Sequence, residues 1–198
     1  MTSAERSGPR TLLLLDFQRD FLADDGRMPV ARHQVAPVLA AARRAADRAH
    51  RAGDVVVTVG NEFRRRDVVG NLLRRRAAVA GSPGTAWDDR IAVDPALYVP
   101  KAAGDAFTNP ALGAALQERG IGHVTIAGLY AAGCVRATAE AALRRGLTVE
   151  VLADAVACSS DRSRDRALAR LARAGVRITR DGAAGEEHPF RQRRPGSP

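Results

Sequence analysis

The chain has 198 residues, 45% of them hydrophobic and 27% charged, which suffices for one buried core and is short for two ordinary domains. Its 31 Lys and Arg against 22 Asp and Glu leave a formal charge of +9, but the arginine clusters at 64–66, 74–76 and 191–198 lack interleaved aromatics and zinc-finger spacing, which argues against nucleic acid. Two cysteines exclude a disulfide framework, and neither a signal-peptide stretch nor a run near the ~20 apolar residues of a membrane span is present, so the chain reads as cytoplasmic, reduced and without membrane association.

In chain order, "TLLLLD" (11–16) is a short continuous apolar run closed by a carboxylate, and it predicts a strand buried on both faces. "VAPVLAAARRAADRAHRAG" (35–53) puts apolar residues at helical spacing and stops on Gly53. "DVVVTVG" (54–60) predicts the second strand. An irregular region follows from Asn61 to about Leu97, punctuated by Gly70, "GSPG" at 81–84 and Pro95. "LYVPK" (97–101) is a short third strand, and "NPALGAALQERG" (109–120) a helix with Asn109 as cap, Pro110 at its first position and Gly120 at its close. "HVTIAG" (123–128) predicts the fourth strand, "CVRATAEAALRRG" (134–146) a helix and "LTVEVLAD" (147–154) the fifth strand. "DRSRDRALARLARAG" (161–175) predicts the last helix and "VRIT" (176–179) the sixth strand. Alternating strands and helices imply a three-layer α/β/α sandwich, Rossmann-like, around a mainly parallel six-stranded sheet with right-handed crossovers. The domain spans 11–180, with a flexible terminus at 1–10 and a polar, frayed tail at 181–198.

Ligands of such sheets bind beyond the carboxyl ends of the strands. Asp16 ends the first strand, Lys101 the third, and Cys134 lies beyond the fourth at a helix start, so the three converge on one rim. Lys101 is the only lysine of the chain, and an ammonium offers a compact, titratable charge where a guanidinium is planar and stays protonated. A helix N-terminus and a nearby ammonium both favour a thiolate. Taken singly, each residue also has a bland reading: a cap, a surface survivor, a small buried hydrophobe. No G-x-G-x-x-G follows the first strand, which removes the dinucleotide reading. His33, His50, His123 and His188 show no ligand spacing and read as solvated or capping, Cys158 as inert, and Asp154 as support for the rim.

"LLLLDFQRDFL", "VAGSPG", "PKAAGDAF" and "AGLYAAGCVRATAEAALRRGLTVEVLADAV" together resemble the isochorismatase-like cysteine hydrolase superfamily, which includes nicotinamidases and N-carbamoylsarcosine amidases, over roughly 11–180. The resemblance implies a catalytic triad of Asp16, Lys101 and Cys134. Cys134 attacks a carbonyl carbon, Asp16 takes the thiol proton and returns it to the leaving nitrogen, and Lys101 stabilises the ionised pair. It also implies a non-proline cis peptide between Leu129 and Tyr130, and an oxyanion hole from the backbone N–H groups of Tyr130 and Cys134. Phe21 matches an aromatic that flanks a planar substrate, and Asn61, Glu62 and Phe63 face the same crevice; Phe21 and Phe63 serve equally well as core. Nicotinamidases of this family bind a metal through an Asp-x-His pair where this chain has Asn61 and Phe63, so no metal and no cofactor is expected. The implied function is metal-independent hydrolysis of a C–N bond in a small amide, cyclic amide or ureido compound, by a homo-oligomer. Vinyl-ether hydrolysis and a catalytically silent binding domain of the same fold are the alternatives.

Overall fold

The structure, a computed structural model, describes residues 8–180. Six strands form one sheet: β1 (Arg10–Leu15), β2 (Val55–Asn61), β3 (Leu97–Lys101), β4 (His123–Leu129), β5 (Thr148–Ala157) and β6 (Arg177–Thr179). Every pairing is parallel, in the order β3-β2-β1-β4-β5-β6. The helices are α1 (Arg19–Leu22), α2 (Arg32–Ala52), α3 (Val68–Leu73), α4 (Pro110–Glu118), α5 (Arg136–Arg144) and α6 (Asp161–Arg173).

The leucine run of β1 shows why the sheet has two covered faces. Leu12 and Leu14 pack with Val38, Leu39 and the alanines of α2, whereas Leu13 and Leu15 pack with residues of α4, α5 and α6. Burial on both sides removes any need for polar alternation, so the strand reads as continuous apolar sequence. On α2 the buried face is largely Ala41, Ala42, Ala45, Ala46 and Ala49, small side chains that let the helix lie close on the sheet. Gly53 ends that helix at φ 73°, and Asn109 caps α4 by accepting from the Ala111 N–H, both as the sequence predicts.

The chain lays β2 and β3 on one side of β1, then returns to lay β4 on the other. That reversal makes the carboxyl ends of β1 and β4 the switch point at which sheets of this kind bind ligands. Gly128 closes the seam between them: its φ is 152°, and a Cβ there would come 2.4 Å from the Leu15 carbonyl oxygen. At the opposite sheet edge Glu150 accepts from Arg177 at 2.7 Å and Thr179 at 2.5 Å, and meets His123 at 3.3 Å and Arg10 at 3.5 Å. This cluster stitches β1, β4, β5 and β6 together, so His123 is a structural partner and not a solvated cap.

Several expectations need correction. β5 runs on to Ala157 through a register irregularity opposite Ile126–Gly128, so Asp154 lies within the strand and not at its end, and it meets Arg44 of α2 at 3.9 Å. The region 61–97 is not wholly irregular. It contains α3, capped by the Asp67 side chain on the Gly70 N–H, and a 3-10 turn at Pro83–Thr85. Arg10, assigned to the flexible terminus, belongs to β1. The remainder of that terminus through residue 7, and the expected tail 181–198 with His188, lie outside the described residues. Among the described residues no helix is long and apolar enough to cross a membrane.

Candidate active site

Three strand ends bring the expected triad together. Asp16 follows β1, Lys101 closes β3, and Cys134 sits in a turn of π-helix, Ala131–Val135, that leads from β4 into α5. Asp16 takes φ 61°, a left-handed conformation that Asp tolerates better than most residues; its N–H bonds the Val59 carbonyl at 2.8 Å. Lys101 Nζ donates to Asp16 Oδ2 at 2.9 Å, to Asn61 Oδ1 at 2.6 Å and to Cys134 Sγ at 3.2 Å. Three N–H donors thus serve three acceptors around one nitrogen, an arrangement a planar guanidinium does not reproduce. The Asp16 and Lys101 side chains are 0% exposed, while Cys134 is half-buried.

Burial dominates the electrostatics. It raises Asp16 above the ordinary 3.8, against the opposing pull of Lys101, the nearby Cys134 thiol and the Asn61 N–H. Lys101 is held above its ordinary value: burial works against the ammonium, but the Asp16 carboxylate, with a smaller part from the Cys134 sulfur, outweighs it. Cys134 is pushed up to about 11 by burial and by the Asp16 carboxylate, with Lys101 and Asn61 offsetting only part. This direction runs against the expectation of a favoured thiolate: burial and the adjacent carboxylate favour the protonated sulfur. Asp16 Oδ1 is buried and without a hydrogen-bond partner among the described residues, which leaves one carboxylate oxygen unengaged to receive a proton.

Asn61 does more than line a crevice. Its amide donates to Cys134 Sγ at 3.6 Å while its oxygen accepts from Lys101. Gln18, which sequence reasoning missed, fixes it: Gln18 accepts from the Asn61 N–H at 2.9 Å and donates to the carbonyls of Asn61 and Thr85, each at 2.9 Å. Nothing in "DFQRDF" sets this glutamine apart from a surface residue. Asp20, likewise missed, accepts from the Ala78 N–H at 2.8 Å and ties the 61–97 segment to α1. A Cβ at Gly84 would fall 1.9 Å from Asp20 Oδ2, so the "GSPG" turn needs glycine there.

The remaining expected residues divide. Phe21 is buried and meets the Tyr130 ring edge-on at 6.0 Å, so it forms core and flanks the turn that carries Cys134 at once. The peptide between Leu129 and Tyr130 is cis. The N–H groups of Gly133 and Val135 both bond the Tyr130 carbonyl and are thereby occupied. Glu62 accepts from Tyr98 Oη at 2.8 Å and does not reach the triad's hydrogen bonds. Phe63 is buried under the Arg74 guanidinium, 3.8 Å from its ring centre, and Arg74 in turn pairs with Asp67. Arg64 and Asp67 line a cavity of about 530 Å³ with Pro100, Lys101, Thr108 and Asn109, and the Lys101 side chain is itself 0% exposed.

The metal donors of nicotinamidases do not fit here. Asn61 is committed to Lys101 and Cys134, Phe63 has no donor atom, and among the described residues no group of three or more His, Cys, Asp or Glu is placed to hold an ion.

The sequence profile of the isochorismatase domain family matches residues 10–181. Comparison with curated proteins gives no match. Among solved structures, an isochorismatase-like hydrolase from Alkaliphilus metalliredigens superposes with a TM-score of 0.80 at 21% identity, over 87% of this chain and 95% of its own. N-carbamoylsarcosine amidase from Thermoplasma acidophilum gives 0.77 at 26% identity, over 90% and 99%. Pyrazinamidase of Pyrococcus horikoshii, in complex with zinc, gives 0.75 at 25% identity, over 86% and 98%.

Proposed function

The chain belongs to the isochorismatase domain family, and on that premise we propose that it is a metal-independent cysteine hydrolase that cleaves a C–N bond in a small amide, cyclic amide or ureido compound. The observation that carries this reading is the single ammonium of Lys101, bonded at once to Asp16, Asn61 and Cys134. Asp16 Oδ1 takes the thiol proton as Cys134 Sγ forms a bond to the carbonyl carbon. The charge moves to the carbonyl oxygen, which the backbone N–H groups of Tyr130 and Cys134 receive. Collapse of this adduct breaks the C–N bond, Asp16 returns its proton to the leaving nitrogen, and a thioester remains. Water then attacks the thioester with Asp16 again as base, releasing the acid and the free thiol. Lys101 is positive throughout and holds carboxylate and sulfur in register.

The same reading places the protein in the cytoplasm, consistent with two unpaired cysteines, and in a homo-oligomer, supported by four large apolar side chains exposed on α3.

A mass-spectrometric screen of amides, cyclic amides and ureido compounds tests the reaction, run with wild type, Cys134→Ala and Lys101→Arg. Turnover by wild type alone is expected, with losses of at least about 100-fold in both variants. Amide turnover that survives Cys134→Ala would remove Cys134 as the nucleophile; no amide turnover with hydrolysis of an added vinyl ether would favour the vinyl-ether reading, and no turnover of either would leave a silent binding domain.

A further inference from the structure

Helix α6 carries Arg162, Arg166 and Arg170 at i, i+4 and i+8, a row of like charges down one face, which weakens an isolated helix. The acids of the same helix are engaged elsewhere: Asp161 with His33, Gln34 and Arg164, and Asp165 with Arg164. Opposite the row stands Arg136 of α5. The four arginines, with Ser160 and Ser163, line a cavity of about 280 Å³.

Arg136 and Arg170 share one carboxylate, Glu140, each at 3.4 Å, whereas Arg162 and Arg166 have no ion pair among the described residues. The wall is therefore strongly positive, and two guanidinium forks stand open. Ser163 Oγ accepts from the Cys158 thiol at 3.2 Å, which leaves its own O–H to donate into the cavity. Planar forks and a hydroxyl are the donor set that matches the tetrahedral oxygens of phosphate. The volume lies at the small end of ligand pockets, room for a phosphate and a few further atoms and not for a length of polymer. Asp16, Asn61, Lys101 and Cys134 take no part in its lining, but Ala132, in the turn that carries Cys134, does.

We propose that this cavity is a second site, separate from the triad, that binds the phosphate group of a small molecule. Isothermal titration calorimetry on the full chain at about 150 mM salt tests it with inorganic phosphate, phosphoserine and acetate. Saturable one-site binding of phosphate or phosphoserine is expected, acetate binding much more weakly, and the comparison of the first two shows whether free phosphate or a monoester is preferred. Arg162→Gln/Arg166→Gln should lose at least about tenfold in affinity, because two charge-assisted contacts are removed. Its melting temperature should not fall, since the substitutions relieve repulsion along α6. Absence of saturable heat, unchanged affinity in the variant, or a response confined to a polyanion such as heparin would each overturn the proposal.

Discussion

Lys101 sits where burial and charge oppose each other, and the balance sets the order of proton movement. A sulfur held near 11 favours the thiol at neutral pH, so in the proposed reaction ionisation belongs to the attack itself and Asp16, raised above 3.8, would be the stronger base for being buried. This has a direct chemical readout. Alkylation of Cys134 by iodoacetamide should be slow at neutral pH, climb through the alkaline range and level off near pH 11, as followed by peptide mass spectrometry. Cys158, buried and bonded to Ser163, should remain the less modified of the two. A plateau at or below the ~8.5 of an ordinary thiol would mean that a thiolate exists at rest and that the base acts only on later steps.

At the scale of the elements, the rim holds the proposed triad and the opposite sheet edge holds a cluster built for stability. Burial alone would raise Glu150, but its contacts with His123, Thr179 and Arg177 bring it down to about 2. The unfolded chain returns it to its ordinary 4.5, so its contribution is complete above 4.5 and is lost as pH falls from there through about 2. Glu150→Gln should therefore lower the melting temperature at pH 7 by several degrees, the equivalent of ~1–3 kcal/mol. The gap between the two proteins should close across that acid window; a gap that persists at pH 2 would assign the loss to packing. β1 was legible as an unbroken apolar run and β4, β5 and β6 as short, mainly apolar stretches between helical periods, and Asp16, Lys101 and Cys134 were legible because they stand at or just beyond the ends of β1, β3 and β4. What sequence did not disclose depends on tertiary partners. α1 and α3 are stabilised by Asp20 on the Ala78 N–H and by Asp67 with Arg74, β5 outlasts Asp154 through an irregularity, and the thiol's state follows from burial that no local motif encodes.

At the scale of the molecule, a chain of net charge +9 exposes a helix whose apolar residues face outward. Val68, Val69, Leu72 and Leu73 of α3 are 72–80% exposed, while Asn71 on its other side is buried, the reverse of a surface helix in a monomer. Exposed arginines bracket it at 64–66 and at 75 and 76. If a second copy covers this face, association pits apolar burial against repulsion between the two sets of arginines, and the two forces respond oppositely to salt. Screening shortens the reach of the repulsion from about 10 Å at 0.1 M to about 3 Å at 1 M and leaves the apolar contribution intact. Sedimentation velocity should thus show wild type shifting toward the oligomer as sodium chloride rises, the opposite of what salt does to an anion bound beside α6. Leu72→Ser/Leu73→Ser, which alters no buried residue, should sediment as a monomer throughout with an unchanged melting transition. A wild type that is monomeric at every salt concentration, or an oligomer indifferent to the double substitution, would remove α3 from the interface and require another reason for an outward apolar face so near Arg64 and Asp67.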